Sequence, residues 1–387
     1  MPEPVIAAFG RSPIGRAFKG SLVNWRSDDL AAHVVESVLD KLPALDRRSI
    51  DDLICGCGLP GGEQGFNIGR VVSILTRLNV PGTTVNRYCA SSLQTTRMAA
   101  HAIRCGEGEV FLSVGVESIT RYQYGTSDMP NNRNPRLEAG NAEAYPDIYI
   151  LMGETAENVA RRERISREEM DRFGLRSQEL AVASQDSGFY AREIVPMPTG
   201  EGGLPATDDG PRRNTSLEKL AALEAAFREG GSVTAGNSCP LNDGAAAVVV
   251  MSDRKAEELG IQPLARVVST GLSALEPEFM GLGPIAASRQ ALSRAGMSID
   301  DMDIIEINEA FAAQVIPSAR GLGLDPFDDR LNPHGGAIAL GHPFGMTGAR
   351  ILCTLLNGLQ EKDGQLGLET MCVGGGMGMA MVVERLS

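Results

Sequence analysis

The residues best equipped for chemistry lie in short glycine-rich stretches far apart in the chain. The densest is Asn332 to Arg350, N-P-H-G-G-A-I-A-L-G-H-P-F-G-M-T-G-A-R. Its glycines let the backbone take positive φ and approach a ligand closely, and His342 stands among them, directly before Pro343. Of the four histidines, His33 and His101 fall within predicted helices as structural residues. An imidazole held in a glycine loop is the better candidate for activating a thiol. A candidate thiol is Cys89, in Asn86-Arg87-Tyr88-Cys89-Ala90-Ser91-Ser92. It precedes a predicted helix whose N–H groups and positive dipole end would favour a thiolate. On local sequence alone Cys89 reads equally as a small buried hydrophobe. Cys372 opens Cys372-Val373-Gly374-Gly375-Gly376, a thiol at a strand end beside backbone free to approach a substrate. Asn308-Glu309-Ala310-Phe311 places an amide and a carboxylate after another predicted strand.

The elements that must position these residues alternate between strand and helix, which implies a layered α/β fold. Short apolar runs predict strands at Val5–Phe9, Leu53–Cys57, Val110–Val116, Ala245–Met251, Ala265–Ser269, Ile304–Ile307, Thr370–Val373 and Met379–Val383. Apolar spacing predicts helices over Asp28–Leu42, from Leu93 to Cys105, over Pro284–Ala295, and after Gly348. Between about Glu117 and Asn242 the chain is more polar and turn-rich, with amphipathic helices predicted at Thr155–Arg164, Arg167–Gln185 and Leu217–Phe227. This reads as an inserted, lid-like region. The stretches on either side each run strand, helix, strand, loop-plus-helix, strand. Each loop-plus-helix carries one chemical residue, Cys89 in the first and His342 in the second. Element order therefore suggests an architectural duplication. Gly56-Cys57-Gly58-Leu59-Pro60-Gly61 matches a dinucleotide-binding fingerprint in form only, because Pro60 interrupts it and no acidic residue follows at the required distance.

At 387 residues the chain is long enough for two to three domains and a large interior. A net charge of −13 argues against nucleic acid or an anionic membrane as the main partner, but leaves room for a local basic pocket. No apolar run reaches the length of a membrane span, and no signal peptide is visible after Met1. Seven cysteines without metal-ligand spacing suit a reducing, cytoplasmic setting and predict no metal site.

With these residues in view, the chain resembles the thiolases, the acetyl-CoA acyltransferases and 3-ketoacyl-CoA thiolases, over essentially its whole length. The resemblance is carried by Arg11-Ser12-Pro13-Ile14-Gly15, the Cys89 segment, Met152-Gly153-Glu154-Thr155-Ala156-Glu157-Asn158-Val159-Ala160, Thr234-Ala235-Gly236-Asn237, Asn242-Asp243-Gly244-Ala245, the Asn308 segment, Gly341-His342-Pro343, and Cys372 with its glycines. It implies a duplicated layered α/β fold, two similar βαβαβαββ halves with an inserted loop domain. The division would be 1–117 with 243–263 for the first half, 118–242 for the insertion and 264–387 for the second half. It implies Cys89 as nucleophile, His342 as its base and Cys372 as the proton carrier at the acetyl carbon. Asn308 would hold a water in one oxyanion hole, and the N–H groups of Cys89 and Gly374 would form the other. Arg212, Met152, Phe227, Cys239, Ala310 and Phe311 match positions along the CoA and acyl path. Coenzyme A would serve as co-substrate with no permanently bound cofactor, and the chain would form a homodimer or homotetramer.

Cys239 stands where the family commonly has a CoA-contacting serine, His334 replaces a common asparagine, and Thr347 a common serine. Leu151 precedes Met152 where short-chain biosynthetic members often carry histidine. This last change favours degradative cleavage of a 3-ketoacyl-CoA, fatty or steroid-derived, to acetyl-CoA or propionyl-CoA and a shortened acyl-CoA. The alternatives are a biosynthetic acetoacetyl-CoA thiolase and, in a different class, a non-catalytic acyl-CoA or lipid-binding protein. The segment 121–145 differs from the tetramerisation loop of biosynthetic members.

Overall fold

The computed structural model describes residues 1–122, 133–140, 146–198 and 206–387. The turn-rich runs 130–135 and 200–203 lie partly or wholly outside the described residues. Ten strands are found among those described: β1 (Pro4–Arg11), β2 (Gly15–Arg16), β3 (Asp52–Gly56), β4 (Gly82–Val85), β5 (Val110–Ser118), β6 (Asn242–Ser252), β7 (Ala265–Ala274), β8 (Ile304–Ile307), β9 (Leu366–Val373) and β10 (Met377–Arg385). They join in the order β4-β3-β5-β6-β1-β7-β10-β9-β8, with the short β2 paired to β6.

The order is a repeat read outward from the middle. On one side β1 pairs antiparallel with β6, β6 antiparallel with β5, and β5 parallel with β3. On the other, β7 pairs antiparallel with β10, β10 antiparallel with β9, and β9 parallel with β8. The duplication suggested by element order is thus present in strand direction and sequence. The first half adds β4 at its edge, parallel to β3. In the second half only an isolated parallel bridge, Ile305 to Leu331, occupies that place.

Burial on both faces explains why the central strands read as apolar runs rather than as alternating ones. Along β6, Ala246, Val248 and Val250 join the central core, while Ala247, Val249 and Met251 join the outer core of the first half. The helices Ser91–Cys105 and Thr347–Glu361 supply Leu93, Ile103, Ile351 and Leu355 to that central core. They lie between the two half-sheets and approach closely: a Cβ on Gly348 would sit 2.5 Å from the backbone nitrogen of Leu93. Helices Ser27–Leu39 and Ile68–Leu75 cover one outer face, and Gly283–Ala295 and Ala312–Leu322 the other.

Two local readings needed correction. The helix predicted at Leu217–Phe227 ends at Ala221. Beyond it the chain turns so that Ala226 N–H donates to Val233 O and the Phe227 ring fills the space beside Gly153, where a Cβ would lie 2.1 Å from the ring. Tertiary packing here overrides a helix-favouring composition. The helix Ala312–Leu322 lacked a clear sequence signal because it contains Pro317.

Candidate active site

Cys89 sits in a tight 3₁₀ turn, Tyr88–Ala90, that opens the helix Ser91–Cys105. The turn is built by its neighbours. Tyr88 has a φ of +45°, uncommon for a bulky residue, and its N–H donates to Asn86 Oδ1 at 2.7 Å. The Ser91 hydroxyl donates to Tyr88 O and accepts from Arg87 N–H. Cys89 is half-buried as a residue, and its sulfur lies by Gly374, the residue just after β9; the N–H groups of Gly374 and of Cys89 itself pull its pKa down. Burial is the stronger effect and pushes the thiol up to about 12. The expected help from the helix start is therefore outweighed, and the resting sulfur is a neutral thiol.

Cys372 is buried at the end of β9. Its thiol is pushed well up by burial and by the nearby sulfurs of Cys89 and Cys239. Cys239 is likewise shifted upward by burial and by Cys89, and its N–H donates to Ala310 O at 3.0 Å. Three cysteines distant in sequence thus share one neighbourhood.

His342 is buried in the glycine-rich loop. Its backbone N–H donates to Asn242 Oδ1 at 3.0 Å, and Gly341 precedes it at φ +116°, where a Cβ would strike the Asn242 side chain. The Thr347 hydroxyl donates to Pro343 O at 2.7 Å and lies 2.7 Å from His342 Nδ1. A hydroxyl has one proton to give, and a carbonyl can only accept. The hydroxyl proton is thereby committed to Pro343 and Nδ1 must donate to the threonine oxygen. This fixes the Nδ1–H tautomer and leaves Nε2 as an acceptor. Nε2 accepts a long hydrogen bond from Asn308 Nδ2, at 3.4 Å. Asn308 is buried just after β8, its N–H donates to Thr370 O at 2.9 Å, and its Oδ1 has no partner among the described residues. Burial, reinforced by the Arg350 charge, lowers the His342 pKa to about 3. The imidazole is therefore neutral at any ordinary pH.

Two buried carboxylates hold the surrounding loops: Glu117, which sequence reading passed over, and Glu309, whose carboxylate it placed after a strand. Glu117, near the end of β5, accepts from Gly58 N–H (2.8 Å), Leu59 N–H (3.2 Å), Gly345 N–H (2.9 Å) and Gln64 Nε2 (2.9 Å). It ties the loop after β3 to the His342 loop. Glu309 accepts from Ser177 Oγ, Asn332 Nδ2 and Ile338 N–H, fixing the other end of the glycine-rich run. Both are pushed up by burial and drawn down by these donors. The available signal was a lone acid closing an apolar strand.

A cavity of about 200 Å³ opens onto the nucleophile candidate. Cys89, Gly374, Met152, Phe344, Leu59, Ile148 and Tyr149 are among its walls. Phe344 stands edge-on to the His342 ring, with centroids 5.1 Å apart. Phe227 and Phe311 meet edge to face at 6.0 Å, and Phe311 with Ala310 is buried in the second half's outer core. Arg212 lies elsewhere, in a separate cleft with Arg16, Thr215 and Leu220, its N–H held by Gln178 Oε1 at 2.8 Å. Its neighbour Arg213 is paired with Asp186 on the surface. His334 belongs to the core: it stacks on Phe189 at 3.6 Å, and burial lowers its pKa to about 4.

Family models for the thiolase N-terminal and C-terminal domains match residues 4–254 and 261–385. The chain belongs to the thiolase family. It is 43% identical to a 3-ketoacyl-CoA thiolase of Saccharophagus degradans, covering 99% of this chain and 98% of that one. It is 42% identical to the 3-oxoadipyl-CoA/3-oxo-5,6-dehydrosuberyl-CoA thiolase of Escherichia coli over the full length of both. A beta-ketoadipyl-CoA thiolase of Acinetobacter baylyi is 41% identical, covering 97% of this chain and 98% of the other. Among solved structures, the Bacillus anthracis acetyl-CoA acetyltransferase superposes with a TM-score of 0.91 at 37% identity, covering 100% of this chain and 99% of that chain. This thiolase is accordingly an acyltransferase, which sets aside the non-catalytic binding protein. Among the described residues no helix is long and apolar enough to cross a membrane.

Proposed function

We propose that this thiolase cleaves 3-ketoacyl-CoA in the degradative direction, through an acyl-Cys89 intermediate, with coenzyme A as the second substrate. The observation that carries the reading is the His342 tautomer. Its Nε2 is unprotonated, engaged only by the long contact from Asn308 Nδ2, and backed by Thr347, which is the form a general base requires. In the first half-reaction Nε2 takes the Cys89 proton and the sulfur adds to the keto carbon. The bond between the α-carbon and that carbon breaks, and its electron pair leaves on the acetyl-CoA fragment. The Cys372 thiol, kept protonated by burial, delivers its proton to the α-carbon of that fragment. In the second half-reaction a CoA thiol gives its proton to the Cys372 thiolate and takes the acyl group, and Cys89 recovers its proton from His342. The N–H groups of Cys89 and Gly374, and Asn308 with His342, are donors for the negative oxygens of the two steps. Arg212 serves the nucleotide end of CoA, and Met152, Phe227, Cys239, Ala310 and Phe311 its path toward the sulfur.

Leu151, 68% exposed where short-chain biosynthetic members often carry histidine, supports a chain longer than acetoacetyl. The names of the relatives, 3-ketoacyl-CoA and 3-oxoadipyl-CoA thiolases, support it as well. The test is intact-mass spectrometry with a 3-ketoacyl-CoA. An acyl adduct is expected on the unmutated protein, none on Cys89→Ala, with turnover down by roughly 10⁴-fold or more. An active protein whose Cys89 never becomes acylated would sink the mechanism. A sole preference for acetoacetyl-CoA over longer esters would instead favour the biosynthetic reading.

A further inference from the structure

The cavity beside Cys89 has one charged side chain in its wall among the described residues, Arg133. Its companions there are apolar, aromatic or glycine: Leu59, Ile148, Ile150, Phe344, Gly375. Arg133 is half-buried among them, and a guanidinium so placed gains from an anion that answers it. No carboxylate pairs with Arg133 among the described residues, and its Nε is buried with no hydrogen-bond partner. The side chain is nevertheless held. It lies over the Tyr149 ring, 5.2 Å from the centroid. That ring is anchored in turn, its hydroxyl accepting from Asn134 N–H at 3.0 Å and its N–H donating to Asp147 at 2.9 Å. Stacking occupies the flat face of the guanidinium and leaves its N–H edge for a planar, bidentate acceptor. On the reading proposed above, the phosphates of CoA go to the other basic cleft, with Arg16 and Arg212, which is separate from this cavity.

We propose that Arg133 binds a second carboxylate at the far end of the acyl chain, so that this thiolase takes CoA thioesters of 3-oxo dicarboxylic acids. The inference rests on the thiolytic reading above and narrows its substrate. Arg133 is a specificity-determining residue here: it touches the part of the acyl chain that does not react.

The experiment compares kcat/KM for two esters of equal carbon number, 3-oxoadipyl-CoA and 3-oxohexanoyl-CoA. The unmutated enzyme should prefer the dicarboxylic ester by about 10- to 100-fold, the range of a charge-assisted pair. Arg133→Gln should collapse that ratio, and Arg133→Lys should restore part of it, since a point charge replaces the fork. The preference of the unmutated enzyme needs no variant and stands even if one misfolds. A ratio near or below one in the unmutated enzyme overturns the inference, while turnover of both esters leaves the thiolytic reading intact. An equal loss on both esters in Arg133→Gln also overturns it, by assigning the arginine to CoA. Failure to cleave either ester, or any other 3-ketoacyl-CoA, would remove both readings together.

Discussion

The two halves of the molecule repeat one strand plan and then diverge where the chemistry lies. The first half finishes its sheet with β4 and enters the Cys89 turn directly from it. The second half reduces that strand to the single bridge Ile305 to Leu331 and spends the chain instead on the glycine-rich run around His342. Both then feed a helix into the shared central layer. The repeat delivers a loop-and-helix unit from each side to one place. The departure from the repeat decides what each unit holds: a sulfur in a strained turn, where Tyr88 takes positive φ, or an imidazole buried by close backbone packing. Each unit also rests on a buried carboxylate that gathers loop N–H groups, Glu117 on one side and Glu309 on the other.

If the halves are equivalent as scaffolds, removing either carboxylate should have a similar, large effect. Glu117→Ala would leave three backbone N–H groups and Gln64 Nε2 without their buried acceptor. The expected loss is about 3–5 kcal/mol of stability, by analogy with breaking a buried charged network. Glu309→Ala should fall in the same range. Urea titration of each variant checks this. A loss below about 1 kcal/mol for one and the full effect for the other would show that only one half depends on its carboxylate.

The next test separates the halves by chemistry. Thr347→Val keeps the shape of the side chain and removes the acceptor for His342 Nδ1–H. The imidazole then loses its enforced tautomer, and kcat should drop by about 10- to 100-fold, less than the loss on deleting the base itself. Thr347→Ser should recover most of the activity, since the hydroxyl is what the argument uses. Equal activity in the valine variant would mean that Nε2 does not depend on this contact.

Much of the candidate site was legible because its residue types are rare and oddly placed. Cys89, His342 and Cys372 each stand beside glycines or a helix start, and Asn308 closes a short apolar strand. The repeat was legible as element order but not as residues, since strand direction and pairing are tertiary facts. Glu117 was not legible, because its role depends on N–H groups from two loops more than 50 and 200 positions away. The tautomer was hidden for the same reason: only coordinates show that the Thr347 proton goes to Pro343 O. The helix over-read at Leu217–Phe227 failed where Phe227 left the helical register to reach Gly153 and Phe311.

The finest distinction between the halves is the resting charge of the pair. A helix start was expected to make Cys89 a thiolate, yet burial raises it to about 12 while His342 is lowered to about 3. Both shifts favour the neutral forms, so free enzyme holds thiol and imidazole rather than thiolate and imidazolium. Only the thiolate is alkylated by iodoacetamide. The rate at Cys89 should therefore climb about tenfold per pH unit from pH 7 to 10 without levelling, whereas an ordinary thiol near 8.5 begins to flatten in that range. No inflection should appear near pH 6.5, because His342 does not charge there. Peptide mapping after timed alkylation follows Cys89 apart from the exposed Cys105. A plateau by neutral pH would mean that the proton already rests on His342 before substrate arrives, and that the imidazole's half of the site, not burial of the sulfur, sets the starting state.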